Sequence, residues 1–156
     1  MRKIIDVSYC LIIVYLISIS CQSDPSCKYF GSLELYFKSV FDIKLSERNG
    51  KVAYYFVPLE SCENCIYSNL LMLNKLKTKK ITIIFIGKNY HNEWDEVLAE
   101  IKNKYNFLED DQKQVYGYES GLGKPLLLVV NDGDCSYSKT IYERNLEEVS
   151  IEIENL

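Results

Sequence analysis

Cys62-Glu63-Asn64-Cys65 holds the densest chemistry in this sequence. Two thiols separated by two residues can close a disulfide, exchange electrons with another disulfide, or supply half of a zinc site. Zinc asks for about four ligands. The chain has a single histidine, His91, and Cys27 and Cys135 stand far from the pair in sequence. We therefore expect no metal and no cofactor. The same scarcity of histidine argues against a His-based triad.

How the six cysteines divide depends on the start of the chain. Arg2 and Lys3 precede an apolar run from about Val7 to Ile19. That run has the length of a signal h-region and falls short of the roughly 20 residues a membrane helix needs. It ends in Ser18-Ile19-Ser20-Cys21, small residues before a cysteine, which resembles the lipobox of bacterial lipoproteins. The favoured Leu three residues before the cysteine is Ser18 here. On that resemblance residues 1–20 form a signal peptide and Cys21 is lipidated, tying the chain to a membrane. The expected location is the cell envelope, on the periplasmic or surface side. Cys10 leaves with the signal, so Cys27, Cys62, Cys65 and Cys135 remain as thiols in an oxidising compartment, where disulfide chemistry is the default. Cys27 and Cys135 could pair with each other or both stay free; spacing alone leaves this open.

Residues 21–31 read as a tether, short and polar around Asp24-Pro25. Residues 32–156 read as one domain. Leu33, Phe37 and Val40 share a helical face behind Ser32, a candidate N-cap. Val52 to Val57 is apolar on both faces, as a covered central strand must be. After it come the cysteine pair and a helical face of Ile66, Leu70, Leu73 and Leu76, closed by Lys77, Lys79 and Lys80. Ile81 to Ile86 predicts a second covered strand. Trp94, Val97, Leu98, Ile101 and Tyr105 predict a helix over about 91–105. A polar stretch, 109–114, precedes a short extended piece at 115–118. Leu126 to Val130 and Tyr137 to Tyr142 flank the turn Asn131-Asp132-Gly133-Asp134 and predict a hairpin. In the tail from Asn145, Leu146, Val149 and Ile153 line a helical face, while Ile151-Glu152-Ile153-Glu154 also alternates as a strand would, and we read a helix. Strands alternating with helices, then a hairpin, imply an α/β fold with a mixed sheet and helices on both faces.

A C-x-x-C opening a helix after a covered strand, followed later by Lys124-Pro125 before a strand and hairpin, resembles the thioredoxin-like fold family. The likeness spans about residues 30–156. It is closest to lipid-anchored bacterial members that exchange thiols and disulfides. The resemblance implies a three-layer α/β fold, a cis Pro125 beside the cysteines, and Lys124 as the residue whose backbone meets a substrate peptide. It also implies protein or small-molecule disulfides as substrates and an unidentified thiol as electron donor. Physics supports the placement: the first turn of a helix has unpaired N–H groups and a partial positive charge that stabilise a thiolate. Cys62 would attack, and Cys65, one turn in, would resolve. Ser61 stands where the family usually has Trp, and Glu63-Asn64 where Gly-Pro or Pro-Pro is common. Glu60 and Glu63 put negative charge beside the thiol, which should oppose ionisation of Cys62 and favour a reducing or isomerising pair. The alternative is a non-catalytic binding module whose C-x-x-C is a structural disulfide.

Composition bounds the remainder. In 156 residues, 47% hydrophobic and 26% charged residues exclude a disordered or low-complexity chain. A net charge of −4, becoming −5 once residues 1–20 are removed, argues against a nucleic-acid surface. The Lys75–Lys80 cluster reads as a helix end and a solvated patch. Gly117 to Gly123 is one residue too long for a phosphate loop, and Pro125 stands where Ser or Thr belongs. No peroxidatic set of Cys, Thr and Arg is evident. His91 reads as a polar helix-start residue and Trp94 as a core anchor.

Overall fold

The structure is a computed structural model that describes residues 27–156. The expected signal peptide, Cys21 and most of the expected tether lie outside the described residues. A five-stranded sheet runs β3-β2-β1-β4-β5, built from β1 (Lys51–Pro58), β2 (Ile81–Ile86), β3 (Asn106–Asp110), β4 (Leu126–Asn131) and β5 (Asp134–Thr140). β1, β2 and β3 are parallel; β4 pairs antiparallel with β1 and with β5. The helices are α1 (Phe30–Phe41), α2 (Glu63–Lys75), α3 (Asp95–Lys104) and α4 (Leu146–Glu154).

The apolar runs on the central strands are explained by the two faces they serve. Successive side chains alternate across a sheet. On β1, Ala53, Tyr55 and Val57 enter one core with α2, α3 and α4, while Tyr54 and Phe56 enter the other with α1. β2 and β4 divide in the same way: Ile83 and Val129 join the first core, Ile84 and Leu128 the second. The result is the three-layer α/β arrangement with helices on both faces. α2 and α3 share a face because β1, β2 and β3 step across the sheet in one direction, and right-handed crossovers then place every connecting helix on the same side. Trp94 is fully buried in that layer, as expected of a core anchor.

Four local expectations are corrected. The stretch from 106 to 110 is a strand that the sequence did not reveal. As an edge strand with Asn106, Phe107 and Glu109 exposed, it lacks the apolar signature of a covered one. The piece at 115–118 is a 3₁₀ turn, Gln114–Gly117, held by the buried Asp110, which accepts from the Gln114 and Val115 N–H groups at 2.9 Å each. The second helix splits into a 3₁₀ turn, Asn92–Trp94, followed by α3. α1 begins at Phe30 rather than Ser32, with Tyr29 at its N-cap.

The end of the tether is also part of the fold, because Cys27 and Cys135 are joined by a disulfide with Cα atoms 6.0 Å apart. The hairpin turn is as read. Asp132 and Gly133 both have positive φ, 48° and 85°, the geometry that matches the twist of a two-residue hairpin loop. A Cβ at Gly133 would collide with the Ser46 carbonyl, so only glycine fits there.

Candidate active site

The site begins where β1 runs out. Beyond Pro58 the Leu59 N–H still bonds the Ile86 carbonyl at 2.9 Å, and the chain then turns, with Ser61 N–H donating to the Pro58 carbonyl at 3.0 Å. Cys62 follows as the N-cap of α2. Its carbonyl takes the first helical hydrogen bond from Ile66 N–H at 2.9 Å, while its side chain stays exposed. Cys65 lies on the first turn, half-buried. Its Sγ sits 2.7 Å from Cys62 Sγ, with the Cys65 thiol donating.

This arrangement splits the two thiols electrostatically. Donation from the Cys65 thiol pulls the Cys62 pKa below the ordinary thiol value, helped by the first-turn N–H groups of Cys65 and Asn64 and by the Lys124 charge. Those N–H groups face the sulfur without closing a capping hydrogen bond. Cys65 moves the opposite way, raised by that same bond, by burial and by the charge on Cys62, with Glu143 adding a smaller push. The exposed thiol therefore ionises more readily than the sheltered one.

The expected opposition from Glu60 and Glu63 is not what governs Cys62, and the direction of its shift is the reverse of that expectation. Glu60 is engaged elsewhere, and Glu63 is exposed and faces His91. Glu60 binds Lys113 Nζ at 2.8 Å and the Lys88 N–H at 3.2 Å, which hold its pKa below the usual carboxylate range. It lies against Gly87, whose φ of 80° and missing side chain leave room for the carboxylate. Glu63 faces His91 Nδ1 at 3.8 Å, and Glu93 approaches the same nitrogen at 3.4 Å. Glu63, His91 and Glu93 together gather one ligand atom each within 4.8 Å of one another, with both glutamates exposed. The His91 ring stacks on Trp94 with centroids 4.1 Å apart, which fixes its orientation.

A second segment approaches from the hairpin side. Ser61 Oγ donates to the Gly123 carbonyl at 3.2 Å, tying the cysteine loop to 121–125. Lys124 is exposed and within electrostatic reach of both sulfurs. Pro125 is buried, and its carbonyl accepts the Ile141 N–H at 2.8 Å, fastening the end of β5 to the start of β4. The peptide bonds of the described residues are all trans, Lys124–Pro125 included, so the implied cis Pro125 is corrected. With a trans bond the chain leads straight from Lys124 into the β4 ladder. Cys62, Cys65 and Lys124 are thus brought together, Pro125 anchors the neighbouring segment, and Cys21 lies outside the described residues.

Two groups of residues around the pair were not read from sequence. Beneath it, Asn69 is 1% exposed; its Nδ2 donates to the Cys65 carbonyl at 2.6 Å and its Oδ1 accepts from the buried Tyr55 hydroxyl. The signal was present, since an Asn interrupts the apolar face Ile66, Leu70, Leu73 four residues after Cys65. Beside the pair, Lys124 Nζ lies 4.4 Å from the Tyr142 ring centroid and the Arg144 guanidinium 5.3 Å from the same ring. Nothing in the pattern of the chain marks that contact. Protein-family models and curated protein sequences give no match to this chain.

Proposed function

We propose that this protein is a thioredoxin-like, lipid-anchored envelope protein that exchanges thiols with disulfides through Cys62 and Cys65. The observation that carries the reading is the asymmetry of the pair. An exposed sulfur at a helix N-cap has its pKa lowered, and a half-buried sulfur 2.7 Å away has its pKa raised. A thiolate at Cys62 attacks one sulfur of a substrate disulfide, forming a mixed disulfide and expelling a thiolate that takes up a proton. Cys65 gives up its proton and attacks Cys62 Sγ, releasing the second substrate thiol and leaving a Cys62–Cys65 disulfide. The substrate gains two electrons and two protons, and an external thiol donor restores the pair. Lys124 offsets the negative charge that passes between the sulfurs, and the backbone of Lys124-Pro125 is the surface offered to a substrate peptide.

The anchoring half of the proposal rests on Ser18-Ile19-Ser20-Cys21 and the apolar run before it. No helix among the described residues is long and apolar enough to cross a membrane. In this proposal the attachment is lipid on Cys21. The redox half is tested by insulin reduction with dithiothreitol as donor, together with titration of the Cys62–Cys65 couple against glutathione. Accelerated insulin reduction is expected. The potential fixes the direction, because a lowered Cys62 pKa stabilises the reduced pair and moves the couple toward that of a strong oxidant, about −120 mV. A wild-type chain that does not accelerate insulin reduction would overturn the exchange reading.

A further inference from the structure

Resting on the exchange reading, we propose that Lys124, Tyr142 and Arg144 form a charge-reading edge of the site, selecting polypeptide disulfides flanked by carboxylate side chains. The two cations converge on one ring, at 4.4 Å and 5.3 Å from its centroid. A ring that attracts two cations keeps them in place without neutralising either. Among the described residues the ion pairs engage Lys44, His91, Lys102, Lys113 and Lys139, so the charges of Lys124 and Arg144 remain for a ligand.

The edge is built rather than loose. Asn145 Oδ1 accepts the Tyr142 N–H at 2.7 Å, Asn145 N–H returns to the Tyr142 carbonyl at 3.1 Å, and Asn145 Nδ2 reaches the Thr140 carbonyl at 3.1 Å. From the other side the Ser61–Gly123 and Ile141–Pro125 bonds hold the Lys124 backbone against the cysteine loop. Tyr142, Glu143 and Arg144 border an open hollow of about 600 Å³, roomy enough for a peptide side chain. Glu143 borders the same hollow and bears on Cys65, whereas Lys124 bears on both sulfurs. The edge therefore carries two positive charges against one negative, a balance that draws an acidic residue of the substrate.

The test uses the full-length chain with dithiothreitol as donor and three synthetic peptides. Each peptide has one intramolecular disulfide flanked by Glu, by Gln or by Lys. The expected kcat/KM for the Glu peptide exceeds that for the Lys peptide by about five- to tenfold, the scale of two partly exposed charge pairs. The ratio should shrink as salt is raised. Arg144→Gln and Lys124→Gln should each lower the ratio and Arg144→Glu should erase it, while Lys38→Gln, on the far layer, should leave it in place. Equal rates on all three peptides, or a preference for the Lys peptide, would overturn the charge-reading edge while leaving exchange intact. Failure to reduce any of the three would remove the exchange reading and this proposal with it.

Discussion

The side chain of Asn69 donates to the main-chain carbonyl of Cys65 at 2.6 Å, from a position with only 1% of its surface exposed. Cys65 is therefore held by a polar group that the buried Tyr55 hydroxyl in turn holds in place. Buried polar groups in a network of this kind are costly to orphan.

Replacing Asn69 by Leu should destabilise the domain by about 1–3 kcal/mol, because the Tyr55 hydroxyl is left buried without its acceptor. Tyr55→Phe should cost less, since Asn69 keeps its bond to Cys65. The double variant should fall short of the sum, as expected for residues in direct contact. Urea unfolding with the Cys62–Cys65 pair held reduced reads all three values. A neutral Asn69→Leu variant would show that the network does not constrain the pair.

The thiol asymmetry predicts a pH profile. Alkylation by iodoacetamide, a neutral reagent, follows the thiolate, so the Cys62 rate should rise with pH through a midpoint below the ordinary thiol value. Cys65→Ala, which removes the donor that dominates the shift, should move that midpoint up, and Lys124→Gln should move it up by less. Glu60→Gln should leave it nearly unmoved, because that carboxylate is spent on Lys113 and the Lys88 amide. For stability the sign follows from the lowered Cys62 value. Ionised Cys62 favours the reduced fold above the ordinary thiol pKa, and that contribution fades as pH falls through the lowered one. Cys65, raised, acts in the opposite sense: its contribution is present below the ordinary thiol value and lost as pH rises through its own.

The Cys27–Cys135 disulfide spans 108 residues of sequence. In the chain-entropy description a loop of about 100 residues is worth about 4.7 kcal/mol, and measured losses for native disulfides run about 2–5 kcal/mol. The Cys27→Ser/Cys135→Ser double variant should fall in that range by urea unfolding, with the exchange pair still functional. An unchanged midpoint would mean that the bridge only fastens the tether and does not support the sheet.

The sequence was most informative where burial acts on both sides of a strand. Val52–Val57, Ile81–Ile86 and Leu126–Val130 could be read directly because every residue in them serves one core or the other. β3 could not, because an edge strand with one covered residue at its end looks like polar loop. The placement of Cys62 and Cys65 was legible too, because the covered strand before them and the helical face after them fix where the pair falls. What was misjudged depended on partners far away in the chain. Glu60 looks like a threat to the thiolate until Lys113, 53 positions on, is seen to bind it. Cys27 and Cys135 had two possible states until the fold placed them together. Arg144 has no meaning in sequence because its relation to Lys124 passes through the ring of Tyr142.

The central claim is that Cys62 attacks and Cys65 resolves. Blocking resolution while leaving attack intact tests it most directly. The Cys65→Ser chain, incubated with insulin or with envelope proteins and resolved on a non-reducing gel, should accumulate mixed disulfides through Cys62. These should collapse on adding dithiothreitol and be absent from the Cys62→Ser chain. A Cys65→Ser chain that traps nothing, alongside a wild-type chain that fails to reduce insulin, would contradict the account.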